Sequence, residues 1–331
     1  VESEPVATFF KRLCFCKIFL EGKNNRQVVS VQQRFFRPVI LKGDARLLLE
    51  VIARAKINLT LDVLSLRPDG YHEVKMIMQT IELHDRLFLE PAQEAISLAC
   101  DHPGVPSGEE NLIYRAAVLL KEYTGQKKGV TVILDKNIPV AAGLAGGSTD
   151  AAAALKGLNS LWELGLTASE LMLLGERLGA DVPFCLVGGT ALARGKGEVL
   201  FSLPPLPRMG VVLVKPPFGV STVQVYRQYD LTGGGPRPDT KAMLVAIEGK
   251  DVKRICHLLA NVLETTAALL HPEIITIKNF LLEAGATGAA MSGSGPTVFG
   301  LCESEEKAVA VASKLKLPSG WVKLVTAVGS G

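Results

Sequence analysis

Absences narrow this chain before any motif does. No apolar run in its 331 residues approaches the roughly 20 needed to cross a bilayer as a helix. The six cysteines (Cys14, Cys16, Cys100, Cys185, Cys256 and Cys302) are scattered, with no CxxC pair or Cys/His cluster of the kind that holds zinc. Reduced thiols are the expected state. A dominant charge is missing too. Lys+Arg at 36 against Asp+Glu at 33 leaves a formal +3, too little to argue for nucleic acid or a membrane surface as the main partner. What remains is a chain with 48% hydrophobic and 21% charged residues, the balance of a globular protein, and long enough for about two domains.

Residues 1–47 carry KRLCFCK, NNRQ and QQRFFRP with little periodicity, and read as an atypical, poorly ordered extension. They have neither the clean apolar core nor the serine content of a targeting peptide. Regular text begins near Leu48. LLLEVIARAKINLTLDVLSL and KMIMQTIELHDRLFLEP are rich in strand formers, and RPDGYHE between them supplies a turn at Pro68-Asp69-Gly70. NLIYRAAVLLKEYTG predicts a helix ending at Gly125, and GVTVILD a strand. TASELMLLGERLG predicts a helix with Thr167 as N-cap and Glu170 completing a capping box. GGTALARGKGEVLFSL reads as a hairpin turning at Gly195–Gly197, and Pro204-Pro205-Leu206-Pro207 as a linker. Beyond it, MGVVLVKPP predicts a strand. Helices follow over Thr240–Lys250, Asp251–Leu259 and Pro272–Ala284, then ATGAAMSGSGPTVFGLC as a Gly/Ser loop entering a strand, and a last helix at EEKAVAVASKLK. Strands interleaved with helices on both sides of the linker predict two α+β domains, over 48–203 and 208–331.

The most informative segment is IPVAAGLAGGSTDAAAA, Ile138 to Ala154. Glycine turns feeding a helix present free N–H groups and the positive end of the macrodipole, which favour a phosphate. A flexible turn before a packed alanine helix is the alternative. Ser148, Thr149 or Asp150 is the expected N-cap, with the helix running from Thr149 or Asp150 to about Leu158. Gly147 is followed by no lysine, so the loop is not of the Walker type, and its spacing does not fit a dinucleotide fingerprint.

Lys56 lies in the apolar stretch ARAKINLTL, where an ammonium is costly without an anionic partner, unless it snorkels from an edge strand. Asn58, two residues on, shares its face. Asp181, in GADVPFCLVGG, either caps a helix at Pro183 or is a carboxylate able to accept a hydroxyl proton. Tyr71 and His72 sit beside the Pro-Asp-Gly turn, suited to a heterocycle or merely exposed, and Gly293-Ser294-Gly295 forms a second tight loop.

Together AKINL (55–59), PVAAGLAGGST (139–149) and MSGSGPTVFGL (291–301) resemble the three signatures of the GHMP small-molecule kinases, over about Leu48 to Val328. AKINLTLDVLSLRPDGYHE, ENLIYRAA and GADVPFC look most like the branch that phosphorylates 4-diphosphocytidyl-2-C-methyl-D-erythritol. The resemblance implies a two-domain α+β fold, with an N-terminal domain of a type also found in ribosomal proteins and a ferredoxin-like C-terminal domain. It implies ATP, with Mg²⁺ carried by the nucleotide, and a small-molecule cytidine diphosphate substrate whose 2-hydroxyl is phosphorylated. In family terms Asp181 is the catalytic base and Lys56 its partner. Pro139, Val140, Ala141, Ala142, Gly143, Leu144, Ala145, Gly146, Gly147, Ser148 and Thr149 bind ATP. Asn58, Tyr71, His72, Thr222 and Tyr226 bind substrate, with Tyr71 and Tyr226 stacking on the base. Ala145 stands where many members have glycine, tolerable at negative φ, and Thr149 where serine is usual. The rival readings are a GHMP kinase for homoserine, a mevalonate derivative or a sugar, and a non-catalytic nucleotide-binding protein. A bacterial, cytoplasmic monomer or homodimer without nucleic-acid or membrane partners completes the expectation.

Overall fold

The computed structural model describes residues 36–40 and 47–329. Most of the stretch read as an extension therefore lies outside the described residues. Its one described piece, Phe36–Ile40, forms strand β1, paired antiparallel with β2 (Leu47–Leu66).

Two sheets organise the chain. The first has eight strands. Its central path is β1, β2, β3 (His72–Ala92), β5 (Gly129–Asp135), β4 (Ile96–Cys100). Off that path, β6 (Thr190–Arg194) pairs with β3 and with β7 (Val199–Ser202). The 20-residue β2 and 21-residue β3 run antiparallel for most of their lengths. Register shifts interrupt the pairing between Arg54 and Lys56 and between Asn58 and Thr60. Such bulges re-aim side chains. Ala55, Ile57 and Leu59 enter one apolar core while Lys56 and Asn58 face a cavity on the opposite side.

The second sheet has four strands, in the order β10 (Gly288–Met291), β11 (Val298–Cys302), β8 (Gly210–Lys215), β12 (Val322–Ala327). All three pairings are antiparallel. With helices between β8 and β10 and between β11 and β12, this is the βαββαβ ferredoxin-like arrangement that the family resemblance implied. GAAM (Gly288–Met291) is strand β10, not loop: the Gly/Ser turn is confined to the tight connection between β10 and β11.

Against the first sheet pack α1 (Leu112–Thr124), α2 (Gly146–Leu161) and, beyond α3 (Ala168–Leu178), which lies on these helices, the short α4 (Val182–Val187). Thr167 caps α3 with the expected reciprocal Glu170 box, a motif whose loss costs about 1 kcal/mol. Ala151–Ala154 of α2 are buried, and small side chains let the helix lie close on the sheet. At Gly157 a Cβ would sit 2.4 Å from a Leu89 methyl and 2.8 Å from one of Val51, so any side chain there would have to push these core groups aside. The later helices are α5 (Thr222–Thr232), α6 (Thr240–Glu248), α7 (Val252–His257), α8 (Val262–Leu270), α9 (Glu273–Glu283) and α10 (Glu305–Lys314). A two-residue strand, β9 (Ala260–Asn261), lies beyond the Pro-rich run yet pairs in parallel with Thr60 and Leu61 of β2. Among the described residues no helix is long and apolar enough to cross a membrane.

Candidate active site

One cavity of about 930 Å³ collects the three motifs. Its floor is β2. The backbone N–H of Lys56 donates to Leu144 O at 3.2 Å, and Lys56 Nζ donates to Gly143 O at 3.4 Å. The strand thus holds the glycine loop from below. From the other side Ser292 Oγ donates to Gly143 O at 2.9 Å, and a Cβ on Gly143 would meet Ser292 O at 2.3 Å. With φ at +74° as well, that position admits only glycine. The two glycine loops touch backbone to backbone.

Lys56 is 4% exposed, the environment in which an unpaired ammonium is untenable. Its Nζ lies 3.6 Å from Asp181 Oδ2 and 2.8 Å from Asn58 Oδ1. Asn58 Oδ1 also accepts the Gly293 N–H at 3.0 Å, and Asn58 Nδ2 contacts Met76 Sδ at 3.2 Å. Both ends of that fully buried amide are engaged, so in this structure it fixes Lys56 and the second loop. Asp181 occupies the residue before α4, but its φ and ψ are helical and its side chain makes no capping bond. The carboxylate is left for Lys56, and at 30% exposure it borders the cavity.

The start of α2 departs from expectation. The helix begins at Gly146 and ends at Leu161, so none of Ser148, Thr149 and Asp150 is its N-cap. Ala145 fills that position at φ +59°, where a negative angle was expected, and no side chain caps the end. The physical reason is that the expected caps are engaged elsewhere. Thr149 Oγ1 donates to Arg54 O at 2.7 Å and Thr149 is 2% exposed, outside the cavity lining; the other residues of the 139–149 motif line it. Asp150 Oδ2 accepts from Lys136 Nζ at 2.7 Å. Thr149 N–H to Ala145 O opens the helical ladder. The amides before it have no intrahelical acceptor, and they head the macrodipole at the cavity wall.

Lys136, Asp85 and Asp150 form a buried triad that the sequence reading missed, all three being under 7% exposed by side chain. Lys136 Nζ bonds Asp85 Oδ2, while Asp85 Oδ1 accepts the N–H groups of Asn137 (2.6 Å) and Ile138 (2.7 Å). Asp85 therefore ties down the chain that leads into the glycine loop. Burial raises the Asp150 carboxyl to about 8; Lys136 opposes that shift and Asp85 adds to it, because two carboxylates share one ammonium. Burial lowers the Lys136 ammonium, but the two acids outweigh it and its net shift is upward. A lone aspartate in a strand-forming stretch, IELHDRLFL, was the one available signal.

The far end of the cavity is built by the β2–β3 turn and α5. Arg67 N–H donates to Tyr71 O at 2.7 Å and Tyr71 N–H to Asp69 Oδ1 at 3.1 Å, closing the expected turn. Tyr71 projects, 60% exposed, with Lys196 Nζ 5.4 Å from its ring centre. His72 points inward. Its ring lies 4.9 Å from that of Tyr226 at 37°, and Tyr229 meets it edge-on at 6.2 Å. His72 Nε2 is 2.7 Å from Asp230 Oδ1. Burial pushes the Tyr226 phenol upward, so it stays neutral. Thr222 Oγ1 and Ser294 Oγ are 2.8 Å apart, joining α5 to the second glycine loop.

Comparison with known proteins agrees with this geometry. The family described as GHMP kinases N terminal domain matches residues 111–189, and GHMP kinases C terminal matches 243–318. A 4-diphosphocytidyl-2-C-methyl-D-erythritol kinase of Pelotomaculum thermopropionicum is 54% identical over 271 residues, covering 82% of this chain and 94% of the relative. One from Geobacillus kaustophilus is 52% identical over 78% of this chain and 90% of its own length. A crystal structure of 4-(cytidine 5'-diphospho)-2C-methyl-D-erythritol kinase superposes with a TM-score of 0.72 at 38% identity, covering 85% of this chain and all of that one. Homoserine kinase from Cytophaga hutchinsonii shares the fold, with a TM-score of 0.67 at 20% identity over 86% of this chain and 95% of that one. With half of all positions identical along nearly the full length of such relatives, this chain belongs to the GHMP kinase family, in its 4-diphosphocytidyl-2-C-methyl-D-erythritol kinase branch.

Proposed function

We propose that this chain transfers the γ-phosphoryl group of ATP to the 2-hydroxyl of 4-diphosphocytidyl-2-C-methyl-D-erythritol, releasing ADP. The observation that carries the reading is the Lys56–Asp181 pair, 3.6 Å apart in the same cavity as an uncapped glycine-loop helix and a His72–Tyr226 aromatic wall. Phosphoryl transfer needs positioning and charge neutralisation more than covalent chemistry, and the cavity supplies both.

The residues fit a nucleotide's phosphates. The open amides of the α2 N-terminus face the cavity and no side chain competes for them. Ser148 lines the same wall and would offer its hydroxyl to a phosphate-borne Mg²⁺. When bound, that cation supplies charge neutralisation at the phosphate oxygens. Asp181 accepts the proton of the attacking hydroxyl, and Lys56 orients the carboxylate. Asn58 holds Lys56 in place through Oδ1. At the other end His72 meets the edge of the base and Tyr71 closes over its face, so the reacting hydroxyl is delivered toward Asp181 by recognition of the remote cytidine.

An ADP-release assay with the purified chain tests this across the cytidine diphosphate substrate, homoserine and mevalonate. Turnover with the cytidine substrate alone is expected, and His72→Ala should raise its KM while leaving the KM for ATP near that of the wild type. Phosphorylation of homoserine in preference to the cytidine substrate would falsify the proposal.

A further inference from the structure

We infer that Asp230 is a positioning residue for base selection: it holds His72 in the tautomer that accepts a hydrogen bond from an amino group, so that the site takes cytosine and refuses uracil. The inference rests on the placement of the cytosine base against His72 proposed above.

The geometry is asymmetric in a telling way. The His72 side chain is 9% exposed and Asp230 47%, so the acid stands at the rim and the imidazole within. A carboxylate can only accept, and at 2.7 Å from Nε2 it requires the ring proton there. In the neutral ring that leaves Nδ1 as a bare acceptor, and Nδ1 has no partner among the described residues. The ring cannot easily turn to exchange its two nitrogens. Tyr226 covers one face at 4.9 Å and Tyr229 abuts it edge-on. Tyr229 is itself anchored, its hydroxyl donating to Val63 O at 3.2 Å. His72 also lines the cavity, as do Tyr226 and Asp230.

Cytosine and uracil differ at position 4, an amino donor in one and a carbonyl acceptor in the other. An acceptor Nδ1 pairs with the amino group and faces the carbonyl lone pairs unfavourably. The opposite tautomer, with hydrogen on Nδ1, would reverse that preference. Asp230 alone sets which one is present, without touching the substrate. Asparagine at 230 would lose the command, since its amide can either accept from Nε2 or donate to it.

The test uses the full chain, ¹⁵N-labelled at histidine, with the cytidine substrate and its uridine counterpart. His72→Ala identifies the His72 resonances by their loss. Wild type is expected to show the Nε2-protonated tautomer. In Asp230→Asn the tautomer should become mixed or inverted, and the cytidine-over-uridine ratio of kcat/KM should fall by about 10- to 100-fold, mostly through KM. Asp230→Glu should restore both. An Asp230→Asn protein that keeps the wild-type tautomer and selectivity, while His72→Ala loses selectivity, overturns this inference alone. A His72→Ala protein that still discriminates the two bases overturns the cytosine placement and this inference with it.

Discussion

Two lysines serve one loop, and they are held in opposite manners. Lys136 is clamped between Asp85 and Asp150, with side chains 4%, 0% and 6% exposed and Asp85 further bonded to two backbone amides. Lys56 is equally buried, yet its acid lies 3.6 Å away and 30% exposed, and its other contacts are an amide and a carbonyl. In the first cluster both acids close on one ammonium, although Lys136 and Asp150 also line the cavity. The second leaves one side of a carboxylate open. A buried ion pair is therefore not in itself a sign of chemistry: the loose, half-open pair is suited to proton transfer, and the closed one to fixing the backbone that carries the loop.

Substitution separates the two roles most sharply. Asp181→Asn should lower kcat by about 10²- to 10⁴-fold with little change in the unfolding midpoint, as for a lost general base. Asp85→Ala should do the reverse, destabilising the fold by about 2–5 kcal/mol, mainly through the two orphaned amides of Asn137 and Ile138, since Asp150 still pairs Lys136. Urea unfolding and steady-state turnover on both variants check this, and a large stability loss in Asp181→Asn would merge the two classes.

A subtler contrast lies in pH. The raised Asp150 carboxyl contributes stability that is fully present below the ordinary carboxylate range and is lost as pH climbs through about 8. Asp150→Asn mimics the protonated group. The variant should match wild type at about pH 3.5 and pull steadily ahead as pH rises to about 8, visible as diverging melting temperatures. Parallel curves would show that Lys136 lets Asp150 ionise as readily in the folded chain as in the unfolded one.

The smallest effect concerns Ala145. A left-handed alanine costs about 1–2 kcal/mol, partly offset by the entropy that glycine loses on folding, so Ala145→Gly should stabilise the chain by about 0.5 kcal/mol. Thermal melts of the two proteins decide it, and a lower melting temperature for the glycine variant contradicts the argument.

Local signals were legible in the text of the chain. Thr167 and Glu170 make the capping box their spacing announced, Gly125 closes α1 in a left-handed turn, and Lys56 and Asn58 share a face as a period of two demands. Partnership across the fold was not legible. Asp85 meets Lys136, and His72 meets Asp230, only after long stretches of chain are folded, and a single acid in a strand says nothing of which base it will face. The start of α2 was misplaced because Ser, Thr and Asp are good caps in general, whereas here tertiary bonds to Arg54 and Lys136 claim two of them. Helices α5 and α8 also went unread. The alternation of strand and helix, and the βαββαβ order of the second half, followed from periodicity and from the family resemblance together.

Strand β9 carries a last implication. Although it follows the Pro204–Pro207 run, it completes an edge of the first sheet, and its Asn261 donates to Met291 O and Gly293 O at 2.8 Å. Val328 similarly bridges to Ile81. The halves interlock like fingers of two hands, so severing the chain at the prolines would yield fragments each missing a piece of the other. Such fragments are candidates for complementation, with activity regained only on reassembly.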